Sequence, residues 1–245
     1  MKTGTANTHK DSPKLSSAAL EFIESVLARR PQVAVFDCDG TLWSGDAGAD
    51  FFYWSIERRM IPANIAEWAV ARYADYKDGL VDEETMCGEM VTIYSGIPER
   101  LLVEAAEEFF PKVVAPRIFP EMVQLTRRLA KTGCKLWAVS STNLWVVCAG
   151  IKSFGIPVEN VLAACVEIKD SHATDRLVRV PTDDEKASAI EEKLPSPVDA
   201  GFGNSIHDAA MLEISRHGFA INPTSDLERM APRKGWKVYW PMGTK

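Results

Sequence analysis

Residues 33–43 read Val-Ala-Val-Phe-Asp-Cys-Asp-Gly-Thr-Leu-Trp, an apolar run followed by two carboxylates. The run from Val33 to Phe36 is too short for a helix and predicts a buried strand. In an open α/β sheet, ligands bind beyond the carboxyl ends of the strands. Asp37 and Asp39 are therefore expected at the rim of a cleft, where two acids this close stay ionised only beside a cation or a cluster of donors. The alternative is a strand that simply ends in an Asp-Gly turn.

Composition limits the classes of protein to consider. The 245 residues suit one domain with a large insertion, or two small domains, and the hydrophobic share of 46% and charged share of 25% are those of an ordinary globular protein. The net charge is −6, and no basic stripe indicates a nucleic-acid partner. No apolar run reaches the roughly 18 residues of a membrane span. Five scattered cysteines indicate reduced core thiols, so we expect a cytoplasmic protein without a membrane partner.

The pattern of the chain changes after Asp46. Residues 1–13 are polar and are expected to form a mobile tail without the apolar region of a signal peptide. From residue 47 to 116 no buried strand is apparent, and amphipathic helices are predicted near 48–60, 62–78, 82–95 and 98–110. We interpret residues 47–116 as a helical cap, and residues 14–46 together with 117–245 as the core.

Strands and helices alternate in the second part of the core. Strands are predicted at 134–139, 161–168, 177–180, 198–202, 218–221 and 237–240. The second and third of these are expected to form a hairpin across a polar turn at 169–176. The alternation predicts an α/β fold with a Rossmann-like, mostly parallel sheet, helices on both faces, and an all-helical cap inserted after the first strand.

Three further segments carry chemistry at strand ends or helix starts. Ser140 to Asn143 is a hydroxyl-rich helix start that suits an anion. Lys186 lies one turn into a predicted helix and could neutralise that anion. Residues 203–208 supply oxygen side chains that suit a hard divalent cation. Each has a simpler explanation: Ser140 as a helix cap, Lys186 as a solvated lysine, and Asp208 as a first-turn acid stabilised by the helix dipole.

These segments, taken in order, resemble the four motifs of the haloacid dehalogenase superfamily of phosphohydrolases. The first motif, Asp-x-Asp-x-Thr after an apolar strand, matches Asp37 to Thr41. The helical insert and the pattern from Asp183 to Ile190 resemble the phosphoserine-phosphatase-like branch.

The resemblance implies a role for each matched residue. Asp37 would attack phosphorus and form an aspartyl phosphate, while Asp39 would act as general acid and then general base. Thr41 and Ser140 would bind phosphoryl oxygens, and Lys186 would balance charge. Magnesium would be held by a carboxylate oxygen of Asp37, the carbonyl of Asp39 and the side chain of Asn204, with Asp208 acting through water. The substrate-binding residues expected are Gly40, Trp43, Asp46, Ser141 and Asn143.

Three departures from the family pattern affect substrate and metal. Asn204 replaces an Asp, which predicts weaker metal affinity. Asp46 stands where phosphoserine phosphatases have a Glu, and Met90 stands where they have an Arg for the serine carboxylate. Phosphoserine is therefore disfavoured as the substrate. Dehalogenating relatives lack the second Asp, so Asp39 favours a phosphate ester over a haloacid.

The insert is rich in aromatic residues. The simpler explanation is that these large side chains fill the core between its helices. We hypothesise that Trp43, one or two cap aromatics, and Asp46 or Asp50 enclose a cationic head group, as in phosphocholine or another amino-alcohol phosphate. The sequence thus predicts a magnesium-dependent phosphomonoesterase for a small phosphorylated metabolite. The alternatives are a phosphoserine phosphatase, a phosphotransferase, and a weakly catalytic relative that binds a phosphorylated ligand.

Overall fold

The computed structural model describes residues 15–194 and 197–244, and the predicted tail at 1–13 lies outside them. In this part of the chain the strands are β1 Val33–Phe36, β2 Lys135–Asn143, β3 Val161–Lys169, β4 His172–Arg179, β5 Val198–Gly203, β6 Ser215–Ile221 and β7 Lys237–Tyr239. The α-helices are α1 Ser17–Leu27, α2 Ala47–Glu57, α3 Ala63–Lys77, α4 Glu83–Thr92, α5 Glu99–Val113, α6 Pro120–Lys131, α7 Leu144–Ile151, α8 Asp183–Lys193, α9 Ala209–Glu213 and α10 Ser225–Lys234.

The seven strands form one sheet in the order β4-β3-β2-β1-β5-β6-β7. Every neighbouring pair is parallel except β3 and β4. The predicted α/β fold with a mostly parallel sheet is therefore confirmed. Strand β1 lies at the centre, between β2 and β5, so its carboxyl end opens at the middle of the sheet edge.

Strand β1 is buried on both faces, which explains its unbroken apolar sequence. Ala34 and Phe36 belong to the core that includes residues of α1 and α6, whereas Val33 and Val35 pack with residues of α8 and α9. Helices therefore cover both faces of the sheet, as predicted.

Four helices, α2 to α5, occupy the stretch for which four were predicted. The side chain of Asp46 accepts a hydrogen bond from Ala49 N and caps α2, and Pro62 and Pro98 directly precede α3 and α5. Helix α4 packs against β2, β3 and β4, and α5 packs against α7. These contacts hold the helical insert above the carboxyl ends of the strands.

The hairpin of β3 and β4 differs from the prediction. The expected polar turn at 169–176 is mostly strand, and the turn itself is only Asp170 and Ser171, with φ of 50° and 62°. Strand β4 lies at the edge of the sheet, and most of its residues are exposed. Edge strands tolerate polar residues, so the sequence of β4 does not show the alternation of apolar and polar residues that predicts a strand.

None of the helices in the described ranges combines the length and apolar character needed to cross a membrane.

Candidate active site

Asp37 lies at the end of β1 and is held by groups from three parts of the chain. Its backbone N–H donates to Phe202 O in β5 at 2.9 Å. Its Oδ2 accepts from Thr41 Oγ1 at 2.9 Å, and its Oδ1 accepts from Lys186 Nζ at 2.8 Å. The side chain is only 8% exposed. The two predicted motifs at 37–41 and 186 therefore meet, although 149 residues separate Asp37 from Lys186.

Lys186 lies between two carboxylates. Besides Asp37, its Nζ contacts Asp208 Oδ1 at 2.5 Å, and its side chain is 3% exposed. Burial lowers the pKa of Lys186, but the charges of Asp208 and Asp37 outweigh burial and raise it, so the ammonium stays protonated. Burial, followed by the charge of Asp208, raises the pKa of Asp37 to about 7, and Lys186 offsets only part of this effect.

The Asp39 carboxylate accepts three hydrogen bonds. Trp43 Nε1 and Ala47 N donate to Oδ1 at 2.6 and 2.7 Å, and Thr142 Oγ1 donates to Oδ2 at 2.6 Å. Burial and then the charge of Asp46 raise the pKa of Asp39 to about 6, against the effect of the hydrogen bonds from Thr142, Ala47 and Trp43. Asp39 is thus a fixed carboxyl group that can exchange a proton near neutral pH.

The loop after β5 is organised by Asp208. Asp208 is fully buried, and its Oδ2 accepts from the backbone N–H groups of Asn204 and Ser205 at 2.8 and 2.9 Å. Asn204 in turn packs against Gly40, where an added Cβ would lie 1.9 Å from Asn204 Nδ2. Gly40 also has a φ of +76°, so both its backbone conformation and this close approach require glycine.

A cleft of about 230 Å³ lies between these strand ends and the cap, and a cavity of this size suits a small ligand. Of the residues predicted for the site, those lining the cleft are Asp37, Asp39, Asp46, Ser141, Asn143, Lys186 and Asn204. The Asn143 side chain also caps α7 by accepting from Val146 N at 3.0 Å.

The other predicted residues lie behind the cleft wall. Thr41 is buried and orients Asp37, and Gly40 lies beneath Asn204. Ser140 is buried, and its Oγ accepts from Thr142 N at 3.2 Å. Asp208 has both carboxylate oxygens engaged, one by Lys186 and one by the loop, so its placement favours an indirect part in metal binding.

The prediction that Trp43 contacts a substrate head group is wrong. Trp43 has no exposed surface, and its ring packs against Phe110 and Phe154 with ring centroids 5.2 and 6.1 Å away. Its indole N–H orients Asp39 instead. Asp50, the other carboxylate considered for the head group, pairs with Arg117 at 2.5 Å and does not line the cleft.

Several cleft residues are outside the predicted set of site residues, although Met90 and the loop at 203–208 were recognised in the sequence. Thr142 follows Ser141 in a motif that was recognised, but only the fold shows that its hydroxyl reaches Asp39. The cap contributes Tyr73, Tyr76, Glu83, Met86, Cys87 and Met90 to the wall, and the core contributes Ser205 and His207. The aromatic content of the insert was the one signal for Tyr73 and Tyr76, and Glu83 had no signal in the sequence.

The residues present fit a small, hard divalent cation. Asp37, Asp39 and Asn204 line one cleft and offer carboxylate, carbonyl and amide oxygens. Magnesium is commonly bound by one or two carboxylates together with substrate phosphate. Within the described residues, no group of three or more His, Cys, Asp or Glu side chains could hold a metal ion, so Asn204 is needed to complete such a donor set.

The chain is similar in sequence to known hydrolases over most of its length. The family model of haloacid dehalogenase-like hydrolases matches residues 34–213. A histidinol-phosphatase of Neisseria meningitidis serogroup C is 24% identical over 217 residues, which cover 84% of this chain and 97% of that protein.

Two solved structures share the fold. A protein of unknown function from Bordetella pertussis Tohama I has a TM-score of 0.74 at 22% identity, covering 84% of this chain and 96% of the other. A phosphoserine phosphohydrolase-like protein from Francisella tularensis has a TM-score of 0.59 at 15% identity, covering 87% and 97%. The chain belongs to the haloacid dehalogenase-like hydrolases and has the fold of their phosphoserine-phosphatase-like members.

Proposed function

We propose that this hydrolase is a magnesium-dependent phosphomonoesterase that acts through an aspartyl phosphate on a small amino-alcohol phosphate in the cytoplasm. The observation that carries the proposal is the 2.8 Å contact between Lys186 Nζ and Asp37 Oδ1 at the base of the cleft. The family match and the phosphatase-named relative support a phosphatase-type reaction. The five cysteines are free, which suits a reducing compartment.

In the first step, an Asp37 oxygen forms a bond to phosphorus while the bond from phosphorus to the alcohol oxygen breaks. Thr41 and Lys186 hold the Asp37 carboxylate in one orientation, which favours attack along one line. Asp39 donates its proton to the departing alcohol oxygen, which its pKa of about 6 permits near neutral pH. When bound, magnesium would offset the repulsion between the phosphate and the attacking carboxylate.

In the second step, water attacks the phosphorus of the aspartyl phosphate. Asp39, now ionised, takes the proton of that water, and the bond between Asp37 and phosphorus breaks to release inorganic phosphate. Trp43, Ala47 and Thr142 hold the Asp39 carboxylate through both steps. The same carboxyl group therefore serves as acid and as base, and the free enzyme is restored.

Charge on the cleft wall supports an amino-alcohol phosphate. Asp46 and Glu83 line the cap side with Tyr73 and Tyr76, and Lys186 is the sole lysine or arginine among the described residues that line the cleft. This wall repels a substrate carboxylate, which disfavours phosphoserine, and attracts a cation. With Trp43 buried and Asp50 outside the cleft wall, the head-group hypothesis retains Asp46 and the cap aromatics Tyr73 and Tyr76.

A screen of phosphorylated metabolites with magnesium tests the proposal. Phosphocholine and ethanolamine phosphate belong in it, and the printed name of the Neisseria relative adds histidinol phosphate. We expect amine-bearing phosphate esters to be hydrolysed faster than an aryl phosphate. When an alcohol is added to the reaction, we expect the product to remain inorganic phosphate. Formation of a new phosphate ester would indicate phosphotransfer, and activity absent with every ester would indicate a binding protein.

The pH dependence should report on Asp39. Bound magnesium would keep the Asp37 carboxylate ionised, so at saturating magnesium kcat/KM for an alkyl phosphate should fall as pH rises through about 6, because deprotonated Asp39 cannot protonate the leaving group. Asp46→Asn removes a charge that raises the pKa of Asp39, so the falling limb should move to lower pH. Thr142→Val removes a hydrogen bond that lowers this pKa, so the limb should move to higher pH. Shifts in the same direction in both variants would contradict the assignment of Asp39 as the acid.

Metal affinity should depend on residue 204. Asn204→Asp adds a charge to the donor set, and we expect the magnesium concentration for half-maximal activity to fall by about fivefold to tenfold. The magnesium-dependent rise in melting temperature should begin at a correspondingly lower concentration. If neither measurement changes, Asn204 does not contribute to the metal site.

A further inference from the structure

Glu83 is a largely buried carboxylate on the cap side of the cleft. It is the first residue of α4, and its side chain is 16% exposed. Its Oε2 accepts a hydrogen bond from the Tyr76 hydroxyl, and its Oε1 accepts one from Cys87 Sγ at 3.6 Å. The nearest basic group recorded for it is His207 Nε2 at 3.9 Å. Within the part of the chain that the structure describes, no lysine or arginine pairs with Glu83, although buried charges are commonly paired.

His207 is shared with another acid. Its Nδ1 lies 2.8 Å from Asp183 Oδ1, so His207 bridges the start of α8 and the cap. The 3.9 Å separation from Glu83 is too long for a hydrogen bond. Glu83 therefore retains accepting capacity toward the cleft after its contacts within the chain are counted.

The electrostatics of the whole cleft favour a cation at this wall. Among the described residues, four carboxylates line it, those of Asp37, Asp39, Asp46 and Glu83. Lys186 is already shared between Asp37 and Asp208 at the opposite, core side. The negative charge of Asp46 and Glu83 thus faces the space left for the alcohol part of a phosphate ester.

The neighbouring side chains suit an organic ammonium group. Tyr73 and Tyr76 provide ring surface, and Met86 and Met90 provide apolar surface. A quaternary ammonium is best bound by several aromatic faces, but Trp43 is not available for this purpose. An ammonium with N–H groups can instead donate directly to a carboxylate, and such a charge-assisted hydrogen bond is a strong one.

We propose that Glu83, oriented by Tyr76, determines specificity by accepting a hydrogen bond from a protonated amine on the alcohol part of the substrate. This inference rests on the proposed function and goes beyond it. It assigns amine recognition to a cap residue, and it selects an N–H-bearing ammonium over the quaternary ammonium of phosphocholine. Because the Tyr76 hydrogen bond fixes the acceptor in advance, little side-chain freedom is lost on binding.

The test compares Glu83→Gln with Glu84→Gln, a change of the exposed neighbour in the same turn of α4. The substrates are ethanolamine phosphate, phosphocholine and glycerol phosphate. In the wild type, kcat/KM should be highest for ethanolamine phosphate. In Glu83→Gln the ratio of kcat/KM for ethanolamine phosphate to that for glycerol phosphate should fall about tenfold, mainly through KM. Glu84→Gln should keep the wild-type ratio.

Two results would overturn the inference: an unchanged ratio in Glu83→Gln, or equal losses on all three substrates. Preference of the wild type for phosphocholine would also do so, while leaving the proposed amino-alcohol phosphatase intact. Preference for glycerol phosphate would overturn the inference and the amino-alcohol assignment together, and would leave only the phosphatase reaction. If no ester is hydrolysed, the phosphatase proposal fails, and calorimetric binding of ethanolamine phosphate still tests Glu83. Affinity about tenfold weaker in Glu83→Gln than in Glu84→Gln would support its role, and equal affinities would refute it.

Discussion

Replacing Asp37 with Asn is expected to abolish phosphatase activity, and replacing Asp39 with Asn to lower kcat/KM on an alkyl phosphate by about 10² to 10⁴. The two losses have different causes. Asp37→Asn removes the nucleophile, whereas Asp39→Asn removes the proton donor of the first step and the base of the second. An aryl phosphate has a leaving group that needs little protonation, so it should still phosphorylate Asp37 in the Asp39→Asn variant. The resulting aspartyl phosphate should then be hydrolysed slowly, because the base of the second step is missing.

Intact-protein mass spectrometry after mixing with an aryl phosphate separates the two variants. We expect the mass of one added phosphoryl group in Asp39→Asn and none in Asp37→Asn. Both should fold, because burial raises the pKa of each carboxyl group and a neutral amide removes that unfavourable buried charge. Asp175→Asn, at an exposed site in β4, is the control. Full activity in Asp37→Asn would refute the proposed mechanism.

Replacing Lys186 with Met should destabilise the protein by about 3–5 kcal/mol, because it leaves two buried carboxylates without their shared cation. Adding Asp208→Asn to this variant removes one of those charges and should restore part of the loss. Urea unfolding measures both variants. Lys193→Met changes an exposed lysine of the same helix, 43% exposed, and should leave the free energy of unfolding within about 0.5 kcal/mol of the wild type.

The deficit of Lys186→Met should depend on pH. Lys186 lowers the pKa of Asp37, so its loss raises that pKa further above the wild-type value of about 7. As pH falls, the folded variant therefore takes up a proton at a higher pH than the folded wild type does. The free energy of unfolding of the variant should recover relative to the wild type as pH falls toward about 7, and below about 7 the two should change in parallel. A deficit that is constant above pH 7 would indicate that lost packing, and not unpaired charge, is the cause.

Much of the fold could be predicted because the patterns that define it are local. A few neighbouring residues are enough to recognise the apolar run of β1, the prolines directly before α3 and α5, and the alternation of strands and helices. Strand β4 was largely missed because an edge strand need not show an apolar pattern. Its position depends on pairing with β3, which the sequence of β4 alone does not encode.

The residues of the candidate site also fall into those that the sequence predicted and those that only the packing of the fold decides. The chain order of the motifs, through its resemblance to the haloacid dehalogenase superfamily, predicted that Asp37, Asp39, Lys186 and Asn204 belong to one site, and all four line one cleft. Trp43 was misassigned because an aromatic residue next to a motif can face the cleft or the core, and only packing against Phe110 decides which.

The sequence by itself determined the α/β class, the order of the motifs and the acid pair after the first strand, because each depends on residue type and local periodicity. Only the tertiary structure decided which side chains face the cleft. The hydrogen bond from Thr142 to Asp39 and the exposure of Glu83 to the cleft both depend on how separate segments pack together. Side-chain direction in a packed core is fixed by contacts between residues distant in sequence, and those contacts form only when the chain folds.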